Sequence, residues 1–492
     1  MSKKNSELKQ YNLTSINRGW LLFLLCVSVT FSSQLVSQEA NEQDLFEQVA
    51  LQQAGLSGLG LSVIDGLPYF RTQAQPDIAL PGKLGFGLDL VVLIGEKDGK
   101  VSVLAEDGEA WNSVSTYMRA IRYVRYGLPS DPLYLRYGEL DLVTIGHGFI
   151  MSGYSNHDRR GLRLNLALPS NKIGMEAVVN NLATPSIFGG RLFAQPLKRE
   201  NGPFWRSLEF GITYLTDIEP ITLQEDANLD ENKKRIVGEG TTKPLQAIGV
   251  DIGIPIFKNG LIRSDIYSDL ALLNMKQSSS GERDFETTTN GIASGIRFLL
   301  PKTIFKTEYR IFMEGFTPTI FDYTYEVNKG LVSDATNSNL PNFEGKEEES
   351  NGLSLRGFYS MLLVQPLKNV SFLGTLENYS HTEPKMYLGL TEDGLIPKLS
   401  FRAFYTKANI GGSYQDEEGK MVNPSFFTDL FRLKDEKSAL TLRIGYEILE
   451  VPGGYPIEVS VLRQFSFRPN EDGIYQSIKK TSFEIGLKHT ID

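Results

Sequence analysis

The chain holds a single cysteine, Cys26, and only four histidines in 492 residues. One cysteine excludes a disulfide framework and a Cys-based zinc site. Four histidines at separate positions argue against a His-rich metal site. Positive charge is not in excess either: 50 Lys and Arg stand against 59 Asp and Glu, a net charge of −9. A nucleic-acid binder normally shows a basic face, so nucleic acid is not an expected partner. After residue 33 no apolar run approaches the roughly 18 residues that mark a membrane-spanning helix. A hydrophobic share of 41%, evenly spread, excludes a disordered chain. A soluble fold and a β-barrel remain.

Export is written into the first 33 residues. Lys3, Lys4, Lys9 and Arg18 precede an apolar core from Trp20 to Phe31, and Ser32, Ser33 and Ser37 follow. A basic flank, a short apolar run and small residues at its exit describe a secretory signal peptide. Cys26 sits inside this core behind Leu25, where a lipidated cysteine needs a small residue, so it reads as part of the signal. The mature chain then carries no cysteine, which suits an oxidising periplasm.

Periodicity decides between soluble and barrel. Leu84, Phe86, Leu88 and Leu90 alternate with Gly85, Gly87 and Asp89; Leu162 and Leu164 flank Arg163; Phe210 and Ile212 flank Gly211. The same period of two runs through Ile252, Ile254, Leu442 and Ile444. Such strands place one face in oil and the other in polar space. Charges at the inner positions are costly in a dry sandwich but ordinary against a wet lumen.

The connections alternate too. Short links at Pro169–Lys172, Lys258–Gly260, Pro301–Lys302, Lys368–Asn369 and Pro452–Tyr455 interleave with long polar links near 218–244, 276–286, 323–352, 410–437 and 470–480. Membrane barrels have short periplasmic turns and longer outer loops. The pattern predicts an all-β fold, a transmembrane antiparallel up-and-down β-barrel over 81–492. About 18 strands are expected, within a range of 16 to 20, since a further pair fits within 58–80. Its segments include 112–126, 205–217 and 303–320. Residues 34–80 are expected to form an N-terminal periplasmic or plug segment, with a short amphipathic helix at 39–55 that Gly55, Gly58 and Gly60 stop.

Over roughly residues 57–492 the chain resembles outer-membrane β-barrels of diderm bacteria. The stretch Leu135-Arg136-Tyr137-Gly138-Glu139-Leu140, through Thr144-Ile145-Gly146-His147-Gly148-Phe149, to Tyr154-Ser155-Asn156 resembles a motif of a porin-like family. The resemblance implies the cell outer membrane, with its lipid and the barrel-assembly machinery as partners. Such barrels usually end on an aromatic residue, whereas this sequence ends Thr490-Ile491-Asp492.

Three groups of residues invite chemistry. Gly146-His147-Gly148 with Ser152, Ser155 and His157 sets Ser and His close together, as a hydrolase on a barrel's outer surface requires. Sequence closeness cannot show that they meet, and glycines flanking His147 equally mark a loop that folds in. No catalytic activity is expected. Arg119, Arg122 and Arg125 form a series readable as an anion-selecting ladder or as arginines paired with carboxylates. Tyr123, Tyr126, Tyr134, Tyr137, Tyr323, Tyr325, Phe401, Tyr405, Phe465 and Phe467 read as interfacial girdles.

The leading functional expectation is a porin-like channel that passes small polar solutes by passive diffusion. Its pore-lining residues are expected to be Arg263, Asp265, Arg297, Lys306, Glu308, Arg310, Glu314, Arg443 and Glu447. No metal and no cofactor is expected. The alternatives are a non-transporting, surface-exposed barrel for binding or scaffolding, and a plugged barrel for hydrophobic uptake.

Overall fold

The computed structural model describes residues 55–64, 66–97, 100–105, 111, 114–168, 172–198, 204–218, 244–258, 262–278, 284–313, 315–323, 325–326, 354–367, 369–407, 409–412, 414–415, 420–432, 438–451, 455–469 and 475–489. The signal segment 1–33, residues 39–54 of the helix expected at 39–55, Glu314 and most of the 323–352 link lie outside the described residues.

The strands, in chain order, are β1 (Gly55–Ile64), β2 (Leu67–Ala74), β3 (Asp77–Leu80), β4 (Leu84–Leu88), β5 (Leu90–Lys97), β6 (Lys100–Leu104), β7 (Ile121–Tyr126), β8 (Leu133–Val143) and β9 (Tyr154–Ala167). They continue as β10 (Ile173–Val179), β11 (Ile187–Ala194), β12 (Glu209–Asp217), β13 (Leu245–Lys258), β14 (Arg263–Ser278), β15 (Asp284–Leu300), β16 (Thr303–Met313) and β17 (Ser354–Leu367). The last are β18 (Val370–Tyr379), β19 (Lys385–Asp393), β20 (Leu399–Lys407), β21 (Tyr414–Gln415), β22 (Met421–Val422), β23 (Ser438–Val451), β24 (Tyr455–Pro469) and β25 (Tyr475–His489). Two short helices, α1 (Val114–Met118) and α2 (Phe426–Leu430), lie between strands.

All strands except β21 and β22 join one large antiparallel, barrel-like sheet in which neighbours in sequence pair. β1 pairs with β2 on one edge and with β25 on the other. Gly58 and Gly60, read from sequence as stops, lie inside β1. A Cβ at Gly58 would overlap Ile485 O and Gly486 Cα, so their lack of a side chain is what lets β25 close on β1. The sheet therefore takes in β1 to β3, ahead of residue 81.

Three strand lines are interrupted. Pro76, which has no N–H to donate, separates β2 from β3, and Asp89 separates β4 from β5. β6 pairs with β5 while β7 pairs with β4, so residues 105–120 leave one strand line midway. The segment expected as a strand at 112–126 is thus helix α1 followed by β7. Its departing backbone is tied down: Asp89 N donates to Ala120 O at 2.8 Å, and Arg160 donates to the carbonyls of Arg119 (2.7 Å) and Ile121 (2.6 Å). The segment expected at 205–217 begins as a 3-10 turn, Phe204–Ser207. The one expected at 303–320 stops at Met313, where Gly315 takes φ 81 and the chain turns inward.

The alternation survives in three dimensions. Ile212 is 64% exposed, and Leu84, Phe210, Ile252 and Ile444 are exposed with it on the outward face. Phe86, Leu88, Leu162, Leu164, Ile254 and Leu442 share this face and are half-buried among neighbours on the same surface. None of these residues belongs to a buried apolar cluster. The girdle expectation needs correction for Tyr123, Tyr134, Tyr323, Tyr325 and Tyr405. The first two are buried against arginines on the opposite face to Val124 and Leu135. Tyr323 and Tyr325 sit on an inserted loop. Tyr405 donates to Leu430 O under α2.

Candidate functional site: two loops inside the lumen

The site starts where β8 ends. Leu142 takes φ 52, a left-handed conformation uncommon for a side-chain-bearing residue, and the chain turns inward. Gly146 and Gly148 continue the turn at φ 60 and φ 88. At Gly146 a Cβ would lie 2.9 Å from Arg191 Cδ, so the position requires glycine for space as well as for conformation. Its N–H donates to Glu176 Oε2 at 2.8 Å. The glycines of the Gly146-His147-Gly148 motif therefore serve a loop that folds in.

A second loop, after β16, meets the first inside the sheet. Thr319 N donates to Phe149 O at 2.7 Å, Phe321 N to Ile150 O at 3.2 Å, and Ser152 N to Phe321 O at 3.1 Å. Met151 and Phe321 form a parallel β-bridge. Phe149 packs on Phe316 at 5.4 Å between ring centres. Around them Ile150, Met151, Ile320 and Phe321 join inward residues of β9 to β17, among them Val178, Leu215, Leu273 and Leu355, in one buried apolar cluster. An apolar core thus occupies part of the space that alternation alone assigns to water.

Charge anchors this core. Glu308, with no side-chain exposure, bridges Lys306 at 2.7 Å and Arg310 at 2.6 Å and accepts from Tyr267 OH at 2.8 Å. Lys306 Nζ donates in turn to His147 O on the first loop. Arg310 stacks over Tyr359 at 4.1 Å and Phe149 at 5.6 Å. The second loop is held by Lys385, which pairs with Asp322, and by Tyr325 OH, which donates to Asp217 at 2.7 Å. His147 stacks on Tyr267 at 4.3 Å and hydrogen-bonds Asp269 at 3.3 Å, while the Ser155 hydroxyl donates to Asp141. Among the described residues no serine hydroxyl is bonded to His147, so a Ser–His nucleophile pair is not assembled there.

The sequence-derived lining residues fall into three groups. Lys306, Glu308 and Arg310 lie beneath the inserted loops. Arg263 and Arg297 share Asp265, at 2.8 and 3.0 Å. These two arginines also edge a cavity of about 260 Å³ with His147, Glu176, Arg191 and Glu209. Arg443 and Glu447 lie elsewhere on the inner face, the first paired with Glu458 (3.2 Å) and the second with Lys488 (2.9 Å). Glu314 lies outside the described residues. The inserted residues 316–322 were not among the sequence-derived candidates. Their signal was composition: Phe149, Ile150, Met151, Phe316, Ile320 and Phe321 are too apolar for links exposed to water.

No protein-family model and no curated protein matches the chain. Among solved structures it is similar to the siderophore receptor PiuA from Acinetobacter baumannii, at 11% identity over 88% of this chain and 82% of that one, with a TM-score of 0.32. It is also similar to OccK5 (OpdH) of Pseudomonas aeruginosa, at 11% identity over 88% and 96%, TM-score 0.27. A third is the ferric-catecholate import receptor Fiu of E. coli, at 10% identity over 89% and 82%, TM-score 0.34. Values this low leave everything about cargo to the chain's own side chains. Those side chains put apolar residues outward along alternating antiparallel strands and bury charge and an apolar core within. That arrangement suits a sheet whose outer surface meets lipid, and the fold is of the outer-membrane β-barrel kind.

Proposed function

We propose that the chain is a selective transport barrel whose lumen is narrowed by its own loops, in place of a wide, freely diffusive pore. The barrel is read as closed, because β1 pairs with β25. Of the 23 strands in the sheet, β2 with β3, β4 with β5 and β6 with β7 each share one wall position, so 23 − 3 leaves 20 positions. An even number suits a bacterial barrel, and one of this size has room for an aqueous path unless it is plugged. In this reading residues 1–33 are removed as a signal, 34–54 precede the wall in the periplasm, and the assembly machinery inserts the barrel into outer-membrane lipid.

The observation that carries the proposal is the docking of 144–153 against 315–323, through three backbone hydrogen bonds and a shared apolar core. A loop packed this way is part of the fold, so solutes pass around it or by displacing it. The polar groups beside it, Arg263, Asp265, Arg297 and Glu209, favour small polar solutes. Hydrophobic cargo is less favoured, since charged and polar residues together make up most of the cavity's edge.

Single-channel recording in planar bilayers tests the reading. The chain as it stands should show small, discrete conductance. Met151→Cys with Phe321→Cys, oxidised to lock the two loops together, should leave that conductance unchanged. Large conductance that collapses on locking refutes a docked resting state, and silence under every voltage and loop variant refutes transport.

A further inference from the structure

The long link after β20 does not stand clear of the wall. Across β20 and β23, Phe401 faces Ile444, Ala403 faces Leu442, Tyr405 faces Leu440 and Lys407 faces Ser438. Ile444 is exposed on the outward face, so Tyr405 and Lys407, of the same parity, lie on that face too. On the other side Met386 of β19 faces Lys407, Leu388 faces Tyr405, and Leu376 of β18 faces Met386. These outward residues are nonetheless covered. Met386, Tyr405, Ile410 and Leu430 form a buried cluster, with Leu376, Leu388, Phe426 and Leu440 packed against it. Ile410 and α2 therefore lie on the outside of the barrel, as a strap across β18, β19, β20 and β23.

Charge pins the strap from beneath. Lys407 and Asp429 are both buried and meet at 3.3 Å, and Asp429 also takes the Arg432 guanidinium at 2.9 Å and the Gly411 N–H at 3.0 Å. Lys407 Nζ donates to Arg432 O at 3.2 Å, and Tyr405 OH to Leu430 O at 2.5 Å. Without the strap, Lys407 would hold a bare ammonium on an outward position, which is costly against lipid. The free face of the strap is the reverse of a water-exposed loop. Phe426 and Leu430, four residues apart, turn to the wall. Phe427 and Phe431, also four apart, turn away and are 69% and 72% exposed, with Met421 exposed beside them in the chain. The carboxylate of α2 is thus turned in and its phenylalanines out. On the strands that flank the covered ones, Phe358 of β17 and Val461 of β24 carry the same apolar surface onward.

We propose that this strap lies in the membrane interface, with Phe427 and Phe431 seated among lipid acyl chains. The occupant is lipid because the strap interrupts a surface whose flanks, at Phe358 and Val461, are the lipid-facing wall. A girdle carried on strands would place Tyr405 at this level. Here a loop folded down over the wall covers Tyr405 and presents Phe427 and Phe431 in its place. The inference is independent of what the lumen carries.

Fluorescence quenching of the full chain folded into phosphatidylcholine vesicles tests it. Cys26→Ser removes the single cysteine of the chain, so Phe427→Cys or Phe431→Cys then carries one environment-sensitive dye. Leu390→Cys, exposed on the outward face of β19, sets the lipid limit, and Glu383→Cys, on the exposed link before β19, sets the water limit. Lipid doxyl-labelled on its acyl chain should quench the dyes at 427 and 431 as strongly as the dye at 390. Aqueous iodide should quench them as weakly as it does that dye, while the dye at 383 shows the opposite pair of responses. Each variant is first shown to be folded by heat-modifiable mobility, and either phenylalanine position serves if the other variant fails to fold. Iodide quenching at the level of the dye at 383 puts the strap in water and overturns the proposal. Shielding from both quenchers overturns it too, and disulfide-linked dimers of unlabelled Phe431→Cys on oxidation would then give the face to a second copy of the chain.

Discussion

Glu308→Gln tests the internal anchor most directly. The substitution keeps the shape of the side chain and removes one negative charge from between Lys306 and Arg310, 2.7 and 2.6 Å away. At an effective dielectric of about 20, each contact is a Coulomb attraction of about 6 kcal/mol. Desolvation of three buried charges offsets most of that, and removing one partner of a buried ion pair typically costs about 3–5 kcal/mol. Here the loss leaves two cations side by side on one strand face, so the upper half of that range is expected. The cost has a cheap escape: Lys306 also holds His147 O, and withdrawing the 144–153 loop lets water reach both cations. Two measurements follow. Heat-modifiable electrophoretic mobility should show folded barrel at a lowered unfolding temperature. Hydrogen exchange should show 144–153 losing protection while the β16 backbone, paired on both sides, keeps it. Under the transport reading, conductance rises as the loop withdraws. Uniform loss of protection across β15 to β17 with the loop still protected would falsify the claim that this triad anchors the loop.

The remaining predictions concern the wall and its turns. Ile212→Arg places a charge on the outward face and should lower stability by about 2–4 kcal/mol if the site lies at the lipid midplane, against a much smaller loss for Ile212→Ala; guanidine titration of vesicle-folded protein measures both. Gly58→Val drives a side chain into the β25 backbone at Ile485 and Gly486, so the heat-modifiable folded species should fall sharply, while Leu59→Val, on the outward face, should not reduce it. At the turn between β7 and β8, the Lys83 ammonium, hydrogen-bonded at 2.7 Å, and the Leu128 N–H hold the Asp131 carboxyl below the usual carboxylate range. A depressed folded-state value means this contribution is present above the unfolded pKa and fades as pH falls through the folded one. Asp131→Asn should flatten that acid limb in a pH series of thermal transitions, and an unchanged limb refutes the assignment.

How much of this was legible beforehand differs between wall and interior. Every strand segment read from alternation has a counterpart in the sheet, and the extra pair allowed within 58–80 is there as β1 to β3. The exceptions occur where alternation carries no information. Val114 to Met118 lies outside the strand line, and bonds from Asp89 N to Ala120 O and from the Arg160 guanidinium to Arg119 O tie down the end of that excursion. Gly58 and Gly60 look like stops by composition, yet act as close-approach sites once β25 lies beside them.

Alternation is local: a period of two in outward apolar residues is forced on each strand by contact with lipid, whatever its partners, and the sequence by itself therefore determined the wall, its in-and-out faces and the alternating link lengths. It also determined which residues face inward, since Lys306, Glu308 and Arg310 share one parity. Which inward charge meets which, and what fills the lumen, depends on strands far apart in the chain. Arg191 finds Asp251, Lys385 finds Asp322, and Phe149 finds Phe316 only after the sheet has curved round and two links have turned in. Those distances are set by strand register and curvature, which no local pattern encodes, and tertiary structure alone decided whether the inner face meets water or a loop.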